Sequence, residues 1–159
     1  ITSVTFGNYL TTIGEGAFKG CTSLTSVYAS GCTDVEAEAF SWCTSLTTAS
    51  MPNVVTIGNK AFLCCSALTK SSFSKLTVLG ECAFKNSGLA TFSAAKLVTI
   101  GDYAFSGSDL KSVSASNVTT VGTGAFENCK NLTSVTLTKV SLMGENSFNG
   151  CESLKSASL

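Results

Sequence analysis

A period of 22 residues runs through the whole chain and leaves few folds open to it. One unit reads Ile13-Gly14-x-x-Ala17-Phe18-x-x-Cys21-x-x-Leu24-x-x-Val27. Counterparts of Leu24 fall at Leu46, Leu68, Leu89, Leu110, Leu132 and Leu154, in steps of 22, 22, 21, 21, 22 and 22. Counterparts of Phe18 fall at Phe40, Phe62, Phe84, Phe105, Phe126 and Phe148. A unit this short cannot bury its apolar side alone. It does so by stacking on its neighbours, which makes a solenoid of about seven repeats. Solenoids offer long surfaces for binding or assembly and rarely enclose a reaction centre.

Within a unit, Leu24-Thr25-Ser26-Val27-Tyr28-Ala29-Ser30 alternates apolar and polar, the pattern of a half-buried strand. Val27 and Ala29 are expected to face inward. Successive turns would stack such strands into a parallel sheet about 4.8 Å apart. The segment from Gly14 to Phe18 changes period and predicts a short helical turn on the opposite side, with Gly14 allowing the chain to turn. Two inward ladders follow: the seven Phe, whose rings would stack, and Cys32, Val54, Leu76, Leu97, Val118 and Val140. The two short units, over residues 79–120, predict a local change of curvature.

These residues together resemble the BspA-type, or Treponema-type, leucine-rich repeats. The apolar ladder at Cys32, where common leucine-rich repeats carry Asn, favours that type. Pro52 is the only proline, and Glu36 replaces a Gly present in the other six units. The resemblance implies a right-handed α/β leucine-rich-repeat solenoid, with the parallel sheet on the concave face and short helical turns on the convex face. It also implies a non-enzymatic extracellular or cell-surface protein that mediates adhesion or binds proteins or glycans. Members occur in bacterial surface proteins and in surface proteins of parasitic protists.

Charge narrows the partners. Ten Lys balance ten acidic residues, and there is no Arg or His. A nucleic-acid binder needs a basic face, so that class is disfavoured. Charged residues are 13%, below the roughly 25% of ordinary soluble domains, and mean hydropathy is +0.33. So weakly charged a surface resists association poorly. No apolar run is long enough to span a membrane. Ile1-Thr2-Ser3-Val4 matches Leu24-Thr25-Ser26-Val27 in phase, and neither end carries a polar cap. Residues 1–159 are therefore expected to form one array, an excerpt of a longer one or a subunit that stacks end to end on copies of itself in a filament or coat.

The outward strand positions form the candidate binding face: Ser26, Tyr28, Ser30, Thr48, Ser50, Lys70, Ser72, Ser74, Thr91, Ser93, Ser112, Ser114, Ser116, Ser134, Thr136 and Thr138. Hydroxyl rows of this kind can carry glycans, pack against a like surface or order water; an ice-binding use is the least supported. Asn117-Val118-Thr119 and Asn131-Leu132-Thr133 match the N-glycosylation pattern. Anchors such as Arg and aromatics are scarce, with only Tyr28 and Lys70 standing out.

Other chemistry has bland readings. Cys21, Cys32, Cys43, Cys65, Cys129 and Cys151 sit at ladder positions and read as small buried hydrophobes. Cys64 and Cys82 fall at variable positions, open to a surface thiol or a local bridge. No zinc pattern is present. Glu15, Glu81, Asp102 and Glu145 recur at the expected start of the helical turn, where a helix dipole favours an anion; Asn59 and Thr123 interrupt the row. Serines have no paired base, so no catalytic, metal or cofactor site is expected.

Overall fold

The computed structural model describes all 159 residues. Long and short strands alternate along the chain: β1 (Ser3–Phe6), β2 (Thr12–Ile13), β3 (Ser26–Ala29), β4 (Asp34–Val35), β5 (Thr48–Ser50), β6 (Thr56–Ile57), β7 (Lys70–Ser72) and β8 (Val78–Leu79). They continue as β9 (Thr91–Ser93), β10 (Thr99–Ile100), β11 (Ser112–Ser114), β12 (Thr120–Val121), β13 (Ser134–Thr136), β14 (Leu142–Met143) and β15 (Ser156–Ser158). All pairings are parallel and join each coil to the next, with Val27 opposite Ala49 and Ile13 opposite Val35. The odd-numbered strands form the front face. The even-numbered ones form a continuous seven-stranded sheet on a second side.

The third side corrects the sequence reading. It holds no helix, so the fold is an all-β solenoid with turns rather than α/β. Each unit places two residues, four apart, at positive φ: Gly16 and Gly20, Glu38 and Trp42, Lys60 and Cys64, and so on to Asn146 and Gly150. A left-handed residue at every fourth position reorients the peptide before an i−4 ladder can propagate. The N–H groups then divide by turns. Ala17 and Lys19 close local turns on Gly14 and Gly16, while Gly16, Phe18 and Gly20 donate to Ala37, Ala39 and Ser41 of the next coil. The Phe18-type donation recurs from Phe18 to Phe126, six times, at 2.7–2.8 Å.

The counterparts of Gly14 in later coils serve close approach rather than turning, whereas Gly14 itself, in the first coil, has only Glu36 Oε2 within reach of a Cβ, at 3.8 Å. A Cβ on Gly58, Gly80, Gly101, Gly122 or Gly144 would lie 2.3–2.8 Å from backbone of the preceding coil. Glu36, the exception, uses its side chain there: Oε2 accepts the Glu15 N–H at 2.9 Å.

Between the sheets lies one continuous apolar core. The Phe column stacks as the spacing predicts, with adjacent centroids 5.1–5.7 Å apart and ring planes within 11° of parallel. Cys32, Val54, Leu76, Leu97 and Val118 are buried, and Val140 packs against the core from a partly buried position. The inward strand residues Ala157 and Leu159 are exposed.

The front sheet is interrupted once. Strands β1, β3, β5 and β7 form one four-stranded sheet, and β9, β11, β13 and β15 form another. The break falls where the first 21-residue step occurs. There Gly88 is pressed so close to the coil before it that a Cβ would meet the Ser66 carbonyl at 2.2 Å. The large inward residue also changes place across the break, from Phe73 after β7 to Phe92 within β9, and both rings pack on Phe84.

Candidate recognition face

The front strands present the positions that the alternation assigned outward. Relative to strand β3, the first outward row is that of Ser26, Thr48, Lys70, Thr91, Ser112 and Ser134. The second is that of Tyr28, Ser50, Ser72, Ser93, Ser114 and Thr136. In-register pairing, for example Ser112 with Ser134 and Ser114 with Thr136, keeps like residues in line along the stack. All of these are exposed or half-exposed. Tyr28 is 45% exposed and, with Thr48, Ser50, Lys70 and Ser72, lines an open depression of about 230 Å³.

Hydrogen bonding separates two kinds of hydroxyl that the sequence alone made to look alike. At coil corners, Thr25, Thr33, Thr47, Thr77, Thr119, Thr133 and Ser141 donate to a carbonyl of the preceding coil, at 2.8–3.4 Å; the coil of β9 has Ala90 and Val98 at these places. These hydroxyls tie coils together. In the row that follows the strand, Ser74 donates to the Pro52 carbonyl at 2.9 Å and Thr138 to that of Ser116 at 3.3 Å. Ser30 donates to the Asn8 side chain at 2.6 Å. By contrast, no side chain of the two strand rows makes a hydrogen bond within the protein, so their capacity is free for an outside partner. Asn117 and Asn131 are exposed. The Asn117 side chain donates to the Ala95 carbonyl and accepts from Lys139 Nζ, each at 2.7 Å.

The turn face holds the acids, and its geometry changes their reading. With no helix there is no helix dipole. Asp102 Oδ1 instead accepts the Thr123 N–H of the next coil at 2.8 Å, and Asn59 Oδ1 accepts that of Glu81 at 2.9 Å. Glu15, Glu81 and Glu145 stand exposed. No three Cys, Asp or Glu side chains converge.

All eight thiols are free. Cys43, Cys65, Cys129 and Cys151 point their Sγ at the carbonyls of Phe18, Phe40, Phe105 and Phe126, at 3.0–3.1 Å. Burial pushes the Cys43 and Cys151 thiols up to about 11 and the Cys65 thiol higher still, so they stay protonated and poor as nucleophiles. Cys64 and Cys82 occupy two of the left-handed turn positions. Burial raises the Cys82 pKa.

These features define a parallel β-solenoid with one hydrogen-bonding face and an interlocked turn face. The sequence matches the family model of the BspA type leucine rich repeat region, in six copies, over residues 1–111 and 91–159. The chain belongs to that family. Its fold is similar to that of a leucine-rich-repeat protein of Treponema pallidum, at TM-score 0.88 and 28% identity, over 96% of this chain and 78% of that one. A leucine-rich-repeat protein of Eubacterium ventriosum shares the fold at TM-score 0.68 and 21% identity, over 91% of this chain and 38% of that one. The pneumococcal vaccine antigen PcpA shares it at TM-score 0.59 and 15% identity, over 99% of this chain and 60% of that one. No curated protein matches the chain in sequence. No helix is long and apolar enough to cross a membrane.

Proposed function

We propose that this protein is a non-enzymatic recognition module of a cell surface or extracellular space, and that it binds protein or glycan ligands across the front sheet. The observation that carries this reading is the pair of uncommitted polar side chains, all hydroxyls except Lys70, that each coil adds to the front. Corner hydroxyls of the same residue types are used up in joining coils. Many weak contacts repeated along a stack give affinity by avidity rather than by one deep pocket. Membership of the BspA-type family supports a binding role, and the vaccine antigen with the same fold supports a surface location. The test is an array of glycans and extracellular proteins probed with the labelled protein, beside Ser114→Trp on the front sheet and Asn86→Trp on the turn face. Ligands are expected to be retained by Asn86→Trp and lost by Ser114→Trp; ligands indifferent to Ser114→Trp would overturn the reading.

A second reading is end-to-end assembly, favoured by the polarity of the stack. On the turn face each coil donates to the coil after it and accepts from the coil before it, so the two surfaces of a coil are complementary head to tail. Light scattering against concentration decides it: growing open polymers support assembly, and one monomeric size throughout rejects it.

A further inference from the structure

A formal charge of zero hides a segregation that appears only when residues are sorted by side of the coil. The front strands with their flanking residues run from Leu24 to Cys32 and over the equivalent stretch of each other unit. These stretches carry six lysines and no acid, a net charge of +6. The remaining two sides carry four lysines and all ten acids, a net charge of −6. The six are Lys70, Lys75, Lys96, Lys111, Lys139 and Lys155, and all are exposed.

Their placement is regular. Lys111 and Lys155 directly precede β11 and β15, on one margin of the front sheet. On the other margin, Lys75, Lys96 and Lys139 each lie three residues beyond the end of β7, β9 and β13. Lys70 stands within the first hydroxyl row. The cations therefore frame the rows of free hydroxyls on both sides, over five consecutive coils. Both ion pairs, Lys19 with Glu38 and Lys130 with Glu152, lie outside this framed region. None of the six meets a carboxylate. With paired strands about 4.8 Å apart, Lys96 and Lys139, and likewise Lys111 and Lys155, stand two coils or about 10 Å apart along one margin, close to the Debye length of roughly 8 Å at physiological ionic strength, so their fields overlap. A face with cations and no compensating acid is held against its own repulsion and attracts anions.

We propose that the front face of the coils from β7 onward binds an acidic polysaccharide, a chain of sulfated or carboxylated sugars lying along the stack; this rests on the sheet-face reading above. Three features select this class. Lysine supplies flexible point charges, suited to sulfate or carboxylate groups at irregular positions, where Arg would impose a planar fork. The free Ser and Thr hydroxyls between the margins can exchange hydrogen bonds with sugar hydroxyls. Single-stranded nucleic acid would need rings on which bases stack, and Tyr28 is the only aromatic facing outward on the front strands. An acidic protein partner would need apolar or aromatic anchors, which these coils do not show.

The test measures binding of the whole chain to a size-defined heparin oligosaccharide by calorimetry at low and physiological salt, with dextran and a thymidine oligonucleotide alongside. Four forms are compared: wild type, Lys75→Gln/Lys96→Gln/Lys139→Gln, the turn-face variant Lys60→Gln/Lys85→Gln, and Ser114→Trp. Heparin binding is expected to weaken with salt, to fall about tenfold in the front triple variant, and to stay within about twofold in the turn-face variant. Dextran and the oligonucleotide are expected to bind at least about tenfold more weakly. No heparin binding, equal binding of the oligonucleotide, or equal losses in the two lysine variants would overturn the proposal. If array ligands are lost in Ser114→Trp but kept in the front triple variant, the acidic-polysaccharide assignment falls and the sheet-face reading stands. If neither variant affects any ligand, both fall.

Discussion

Phe84→Ala should do more than destabilise the protein; it should uncouple its two halves. Phe84 is fully buried, with its ring stacked between Phe62 at 5.1 Å and Phe105 at 5.7 Å. It also meets Phe73 at 5.7 Å and Phe92 at 6.0 Å, both tilted. It thus sits under the one place where the front sheet has no strand pairing, between β7 and β9. Truncating a buried Phe to Ala costs about 3–5 kcal/mol, and four ring neighbours put this site near 5 kcal/mol. Phe148, partly exposed with a single ring partner, should cost about 2 kcal/mol. In a solenoid, stability is the sum of unit terms and nearest-neighbour terms, so a weakened interface separates the blocks on either side. The assay is urea unfolding followed by fluorescence of Trp42, the only tryptophan and a reporter on the amino-terminal side of the break, together with far-ultraviolet circular dichroism of the whole chain. The two curves should coincide in wild type and part in Phe84→Ala. A loss smaller than that of Phe148→Ala, with coincident curves, would refute the reasoning.

Other consequences are checked by the same unfolding measurements. Gly101→Ala should cost about 2 kcal/mol, because its Cβ would lie 2.6 Å from the Gly80 carbonyl carbon, whereas Gly7→Ala, with open space, should be neutral or slightly stabilising. Lys60→Gly should stabilise by about 1 kcal/mol, since Lys60 is exposed and held at a φ of 59° that Gly adopts freely. Thr47→Val should cost about 1 kcal/mol by removing the 2.9 Å bond to the Thr25 carbonyl. The Cys43 thiol has a folded pKa raised from 9.0 to about 11 by burial, so the folded state holds this proton more tightly than the unfolded chain. Its contribution is complete below pH 9 and is lost as pH rises through about 11; Cys43→Ala should reduce the slope of stability against pH in that window.

The sequence showed the coil because its period is carried by residues that must be buried. Phe40, Phe62 and Leu46 have no alternative to the core, so their spacing fixes the stack, and strict alternation around Val27 fixes which side of each strand faces out. The turn face resembles a helix in sequence for a physical reason. Left-handed residues are legible when Gly or Asn holds them, as at Gly16, Gly20 and Asn128. Glu38, Trp42, Lys60, Cys64, Cys82 and Tyr103 hold the same conformation with side chains that carry no such signal. Ala17-Phe18 and Cys21 then imitate a helical spacing. The hydroxyl rows were found as a set, but their division into joining and free groups was not, because Thr25 and Ser26 differ only in where each points at the corner. The lysine frame is hidden in the total charge, which sums over all sides of the coil; Lys75, Lys96 and Lys139 share one column and give the signal once the units are aligned.

The most direct test of recognition through the front sheet is amine acylation footprinting, read by mass spectrometry, of the protein free and bound to each ligand retained from the array. The account predicts that bound ligand shields lysines on the front, such as Lys70, Lys111 and Lys139, and leaves Lys60 and Lys85 of the turn face at their free rates. Shielding of Lys60 and Lys85, with the front lysines reacting as in the free protein, would contradict it.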